Sequence, residues 1–339
     1  IVSRGCAFGA IFLLAKFLSV ENFGIYNYII TILNLLSIIL IPFINCYLRD
    51  YRFYEFKKYN FSYIIFPIIF SIPFFIMITC YIYPINILMF VFYFIYYSLG
   101  ESIKSYLNVN EQYKRYSLVN FFSQVIILII IAYFIFYIKY FNITNLITYN
   151  FFFASIIMIV IFLCMVKLDK IEFRLDIAYL KNLFSDSKYL MLYWSILPII
   201  SFMDMFFIEK FLSKQELGLY SFSLKLFTIS LAGLTPMLTV LRIKQIDVAK
   251  NKNIKEYVHR NFKKVFLCAV CFYFIAIIGT CILTIFFFKN YIGSLWASII
   301  LISTSFVSYL SIPFNFLMAD RKYNIVLRLS LISLFLTLL

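Results

Sequence analysis

Charge is scarce in this chain: 13% of its 339 residues are Asp, Glu, Lys or Arg, while 64% are hydrophobic. So few charges could not cover the apolar surface of a soluble domain of this length, which excludes a water-soluble globular protein. Histidine is scarcer still. The one histidine, His259, has no histidine partner for metal binding. No Walker A glycine run, no HExxH and no nucleophile elbow occurs, so the known catalytic signatures for nucleotide, zinc and acyl chemistry are absent. An ATP-driven mechanism would need a separate subunit, and no cofactor or enzyme activity is expected. Eight glycines and seven prolines leave the apolar runs mostly uninterrupted. The seven cysteines fall almost entirely within those runs. Cys268 and Cys271 make a CxxC without a second cluster, which reads as small buried residues rather than a metal or redox centre.

What the chain does have is apolar runs of about 20 residues, each long enough to cross ~30 Å of hydrocarbon. About eleven spans are expected, at 1–19, 25–46, 61–83, 85–100, 118–138, 146–166, 189–209, 217–241, 265–288, 294–316 and 324–339. The fold class is an all-α polytopic membrane protein. With the N-terminus inside the cell, loops 47–60, 101–117, 167–188, 242–264 and 317–323 hold 22 Lys and Arg. The opposite loops hold five: Lys16, Lys139, Lys210, Lys214 and Lys289. That asymmetry sets the expected orientation, and it explains the net charge of +15 by anionic head groups rather than nucleic acid. The chain opens at Ile1 and ends at Leu339 inside apolar segments, so a fragment lacking both ends is expected. Two glycosylation sequons, at Asn60 and Asn142, read as chance matches.

The most informative pattern is a repeat. Lys16-Phe-Leu-Ser-Val-Glu-Asn-Phe-Gly24-Ile-Tyr26 returns 194 residues later as Lys210-Phe-Leu-Ser-Lys-Gln-Glu-Leu-Gly218-Leu-Tyr220, and the same offset carries Pro42 onto Pro236. Six spans separate the copies, an even number, so the repeat is parallel, about an axis along the membrane normal. The expected organisation is therefore a six-helix lobe at 1–166, an amphipathic cytoplasmic linker at 167–188 and a second, incomplete lobe at 189–339. Internal repeats in a many-span protein point to a transporter with its path at the repeat interface.

Charges within spans are costly and face a partner or a cavity. Asp204 and Lys225 are each expected roughly 12–14 Å from the outer membrane edge, on antiparallel helices joined by a short turn. Two readings are open: a permanent ion pair, or a proton- or cation-responsive pair on a transport path. Arg4 falls ~24 Å from the outer end of its span and Arg328 about five residues into the last, so each either snorkels or binds phosphate. Asn27, Thr31 and Asn34 share one face of the second span, and the repeat places Ser221, Lys225 and Thr228 on the equivalent face of the eighth. The matching stripes read either as two walls of one cavity or as hydrogen bonding within each lobe. The serines around Pro313, from Ser303 to Ser311, read as close helix packing.

The stretch KFLSVENFGIYNYIITI after the first span resembles the start of polysaccharide exporters of the multidrug/oligosaccharidyl-lipid/polysaccharide (MOP) superfamily. DMFFIEKFLSKQELGLYSFSLK, from Asp204 to Lys225, is similar to the stretch that opens their second lobe. The resemblance implies an O-antigen-type flippase in the bacterial inner membrane. Such a protein moves undecaprenyl-pyrophosphate-linked oligosaccharide to the outer leaflet through a cavity that opens to each side in turn. Membrane lipids and other glycan-assembly proteins would be its partners. The resemblance makes Arg4, Lys225 and Arg328 the candidates for the pyrophosphate, with Asp204 as an acidic companion. Two rivals remain: a cation-coupled drug exporter of the same superfamily, and a membrane enzyme of glycan assembly.

Overall fold

The computed structural model describes residues 2–37, 59–60, 72–73, 76, 86–109, 112–138, 142–165, 171–172, 176–230, 267, 270–305, 325 and 328. Pro42 and Pro236, Pro313, most of the spans at 61–83 and 324–339, and the loop 242–264 with His259 lie outside them. Two helices come first, α1 at Val2–Phe17 and α2 at Val20–Ser37. They are followed by α3 at Ile87–Val109, α4 at Tyr113–Tyr133 and α5 at Ile143–Met165. The chain then forms α6 at Ile177–Phe211, α7 at 214–230, α8 at 270–282 and α9 at Leu295–Ser305. A π-turn prolongs α4 over Phe134–Ile138 and α8 over Leu283–Phe287, and a 3-10 turn at Lys289–Ser294 leads into α9. The described β-structure is one two-residue parallel pairing, Tyr59–Asn60 with Ile171–Glu172. Backbone groups in hydrocarbon must pair within their own segment, so an apolar chain of this kind folds as helices. Four segments among the described residues, Ile87–Lys104, Lys114–Ile138, Ile143–Cys164 and Val270–Phe287, are long and apolar enough to cross a membrane. The chain is a multi-pass, all-α membrane protein.

Helix ends differ from expectation where charge follows the apolar run. Hydropathy placed the end of the fourth span at 100, yet α3 continues to Val109. Its extension carries the ion pair of Lys104 with Glu101 at 2.9 Å, an i, i+3 pair that helical spacing brings together. Part of the segment expected as a linker, 167–188, is helical and continuous with the span that follows. Asp176 accepts the Tyr179 backbone N–H at 3.1 Å, caps α6, and the helix then runs unbroken to Phe211. With no glycine from Ile177 to Phe211, nothing ends the helix where the apolar run begins.

The chain divides into two compact units, Ile1–Phe17 with Tyr26–Met203, and Leu18–Ile25 with Asp204–Leu339. Compactness therefore cuts the chain differently from a division by repeat. In the first unit α3 packs on α5, α1 on α4, and α4 on both α3 and α5. Leu99, Ile103 and Leu107 of α3 meet Val119 of α4 and Met158 and Phe162 of α5 in one buried cluster. Lipid tails are as apolar as these side chains, so close packing rather than water exclusion holds the helices together. Tyr93 of α3 meets Phe151 of α5 edge-on at 4.8 Å.

Both copies of the repeat start their helix in the same way. The Ser19 hydroxyl accepts the Asn22 N–H at 3.2 Å and caps α2; the Ser213 hydroxyl accepts the Glu216 N–H at 3.1 Å and caps α7. Each serine carbonyl also takes the next amide, from Phe23 at 2.9 Å and Leu217 at 3.1 Å. Ser19→Ala and Ser213→Ala should each lower stability by about 1 kcal/mol. Thermal unfolding in detergent checks this, and unequal losses would mean the two caps are not equivalent.

Candidate functional site

The repeat concentrates polar groups on two helices. In α2, Asn27 is buried and Thr31 donates its hydroxyl back to the Asn27 carbonyl at 2.9 Å. Asn34, one turn further, is exposed and accepts the Tyr93 hydroxyl of α3 at 2.7 Å. In α7, Ser221 is buried with no protein partner for its hydroxyl, Lys225 is half-buried, and exposed Thr228 bonds the Leu224 carbonyl at 2.8 Å. The two stripes are thus partly engaged inside the fold. Thr31 and Thr228 make the same backward bond to the carbonyl four residues earlier, and Asn34 ties α2 to α3.

Asp204 has a partner that sequence spacing did not supply. The Tyr220 hydroxyl of α7 donates to its Oδ2 at 2.8 Å. Among the described residues no ion pair joins Asp204 to Lys225. The reason is depth. α7 begins at 214, not at the expected 217, so Lys225 lies eleven residues into its helix while Asp204 is seven from the end of α6. At ~1.5 Å per residue Lys225 is about 6 Å deeper, and Tyr220 is the residue level with Asp204. The repeat held a signal for this. Tyr26 and Tyr220 each follow the motif glycine by two residues, and Tyr26 lies beside Asn150 of α5 as Tyr220 lies beside Asp204. Equivalent tyrosines thus address Asn150 of α5 and Asp204 of α6.

Arg4 and Arg328 are exposed. Next to Arg4, the Ser3 hydroxyl donates to the Asn120 carbonyl at 3.0 Å and fixes the start of α1 against α4. Equivalent lysines close the helices ahead of each repeat turn. Lys16 stands 5.9 Å from the Phe17 ring centre, and Lys210 lies 5.6 Å from Phe206 and 5.7 Å from Phe211. A cation over an aromatic face suits the boundary between lipid and water. Among the described residues no cluster of His, Cys, Asp and Glu could hold a metal ion.

Known proteins give this arrangement a setting. No curated protein matches the chain. A solved structure described as an inward-facing conformation of a multidrug resistance MATE family transporter of the MOP superfamily is similar to it in fold. The two share 12% identity with a TM-score of 0.74, over 98% of this chain and 84% of that one. At that identity the likeness concerns the fold. Residues 58–301 match the family model described as polysaccharide biosynthesis protein, which is more than half of the sequence. The chain therefore belongs to the polysaccharide biosynthesis protein family, and its fold is similar to that of the MATE family transporter.

Proposed function

We propose that this protein flips undecaprenyl-pyrophosphate-linked oligosaccharide from the cytoplasmic to the outer leaflet of the bacterial inner membrane. One observation carries the reading: a chain of a polysaccharide biosynthesis family is folded as a transporter, not as a soluble transferase. A sugar-phosphate head group cannot cross hydrocarbon unaided, and moving it breaks no covalent bond. Repeat lobes 1–166 and 189–339 rock against each other, with 167–188 joining them, while the lipid tail stays in the bilayer. Arg4, Lys225 and Arg328 attract the pyrophosphate; Asn27, Thr31, Asn34, Ser221 and Thr228 provide polar contacts for sugar. Asp204 carries the charge that couples the cycle to a cation. The 22 basic residues on one set of loops support a cytoplasmic N-terminus.

The second reading is a cation-coupled exporter of drugs, favoured by the MATE transporter likeness. The experiment that separates them uses a strain with the gene deleted. Sealed spheroplasts are treated with a non-permeant glycosidase, and lipid-linked oligosaccharide is measured in each leaflet. The expected result is inner-leaflet accumulation relieved by complementation. Normal outer-leaflet delivery with altered drug efflux would overturn the flippase. Failure to make the oligosaccharide at all would point to an enzyme of glycan assembly.

A further inference from the structure

The two copies of the repeat touch at their glycines. A Cβ on Gly24 would stand 2.6 Å from the Gly218 nitrogen and 2.9 Å from its Cα. A Cβ on Gly218 would run into the Val20 carbonyl oxygen and come 2.6 Å from Val20 Cγ1. The start of α2 therefore crosses α7 backbone against backbone, a contact that no other residue type allows. All these residues belong to the second compact unit.

Aromatic rings surround the crossing. Phe222 stacks on Tyr291 at 4.3 Å between centroids, and Phe23 meets Tyr291 edge-on at 5.7 Å. Two hydroxyls in this packing have no partner in the protein: Ser221 Oγ, three residues beyond Gly218, and Tyr291 Oη. Each residue is only 1% exposed. The same neighbourhood does satisfy other hydroxyls. Ser223 bonds the carbonyls of Leu219 and Ser294, each at 3.1 Å, and Ser298 bonds that of Ser294 at 2.8 Å. Buried hydroxyls left unpaired weaken the packing that buries them, and exposure to water restores their bonds. A helix crossing made to stay closed gains nothing from them. A crossing that must separate does, because they reduce what opening costs.

We infer that the Gly24–Gly218 crossing is a reversible closure between the repeat copies, sealed by glycine contact and eased open by the unpaired hydroxyls of Ser221 and Tyr291. The inference rests on alternating access as proposed above, but its test requires no substrate. In a variant with the native cysteines replaced, Ser221→Cys serves as a near-isosteric reporter in membrane vesicles of both orientations. The rate at which a membrane-impermeant thiol reagent modifies it measures opening. Adding Gly24→Ala or Gly218→Ala should raise that rate about tenfold, because a Cβ prevents the crossing from sealing. Gly279→Ala, where a Cβ meets nothing within 4 Å, should leave it unchanged. Tyr291→Phe keeps the ring stack and removes the unpaired hydroxyl, so it should slow labelling about fivefold. Opposite effects of the glycine and tyrosine variants cannot both arise from misfolding. Labelling unmoved by both glycine changes would overturn the inference and make the crossing a fixed joint. So would labelling not slowed by Tyr291→Phe. Neither result bears on which substrate is carried, which the leaflet measurement decides separately.

Discussion

Asp204→Asn is expected to abolish cation-coupled transport without destabilising the protein. Asparagine keeps an amide oxygen where the carboxylate stood, so it still accepts the Tyr220 hydroxyl now bonded at 2.8 Å. Only the charge is removed. A carboxylate within a span costs ~2.5–3.5 kcal/mol to insert, so a merely structural hydrogen bond would be made more cheaply by asparagine. Tyr220→Phe does the reverse: it keeps the charge and deletes the bond, costing about 1.5–3 kcal/mol of stability. Because Asp204 and Lys225 are not paired here, combining Asp204→Asn with Lys225→Met should give no rescue of either single change. Transport in vesicles together with unfolding temperature checks all of these. Activity retained by Asp204→Asn would remove the carboxylate from the coupling mechanism.

Phe222→Ala should be among the most destabilising single changes in the second unit, by about 3–5 kcal/mol. Phe222 is 0% exposed and meets three rings: Tyr291 at 4.3 Å, Phe288 at 5.3 Å and Phe23 at 6.3 Å. Lipid cannot refill such a space inside packed helices, so the lost contacts are not replaced. Phe207→Ala is the matched comparison, since Phe207 is exposed at 44% and faces outward. It should shift the unfolding temperature little. Equal shifts for both would mean that the ring cluster is not what holds the unit together.

Apolar length and motif repetition were legible in the sequence. Runs such as those at Ile143–Met165 and Tyr113–Tyr133 reveal spans because crossing hydrocarbon demands length and apolarity together. The repeat placed Gly24 and Gly218 at equivalent positions, while the capping role of Ser19 and Ser213 emerges from the structure. Helix ends were less legible. Hydropathy reports where hydrocarbon stops, whereas α3 continues past that point on an ion pair and α6 starts early on an aspartate cap. That same error hid the partner of Asp204. Misplacing the start of α7 by three residues brought Lys225 level with the carboxylate, where the structure has Tyr220. The glycine crossing escaped notice for a different reason. A glycine in a repeat announces a backbone requirement, but not which backbone approaches it.

The paired serine caps act as rulers. From Ser19 to Gly24 and from Ser213 to Gly218 the count is five residues, and each serine pins the first turn of its helix. One residue inserted in either interval would rotate the glycine by about 100° and lift it ~1.5 Å along the axis. A bulkier side chain would then face the opposing backbone. The two turns therefore tolerate change in residue type, as Val20-Glu21-Asn22-Phe23 against Lys214-Gln215-Glu216-Leu217 demonstrates, but not change in length.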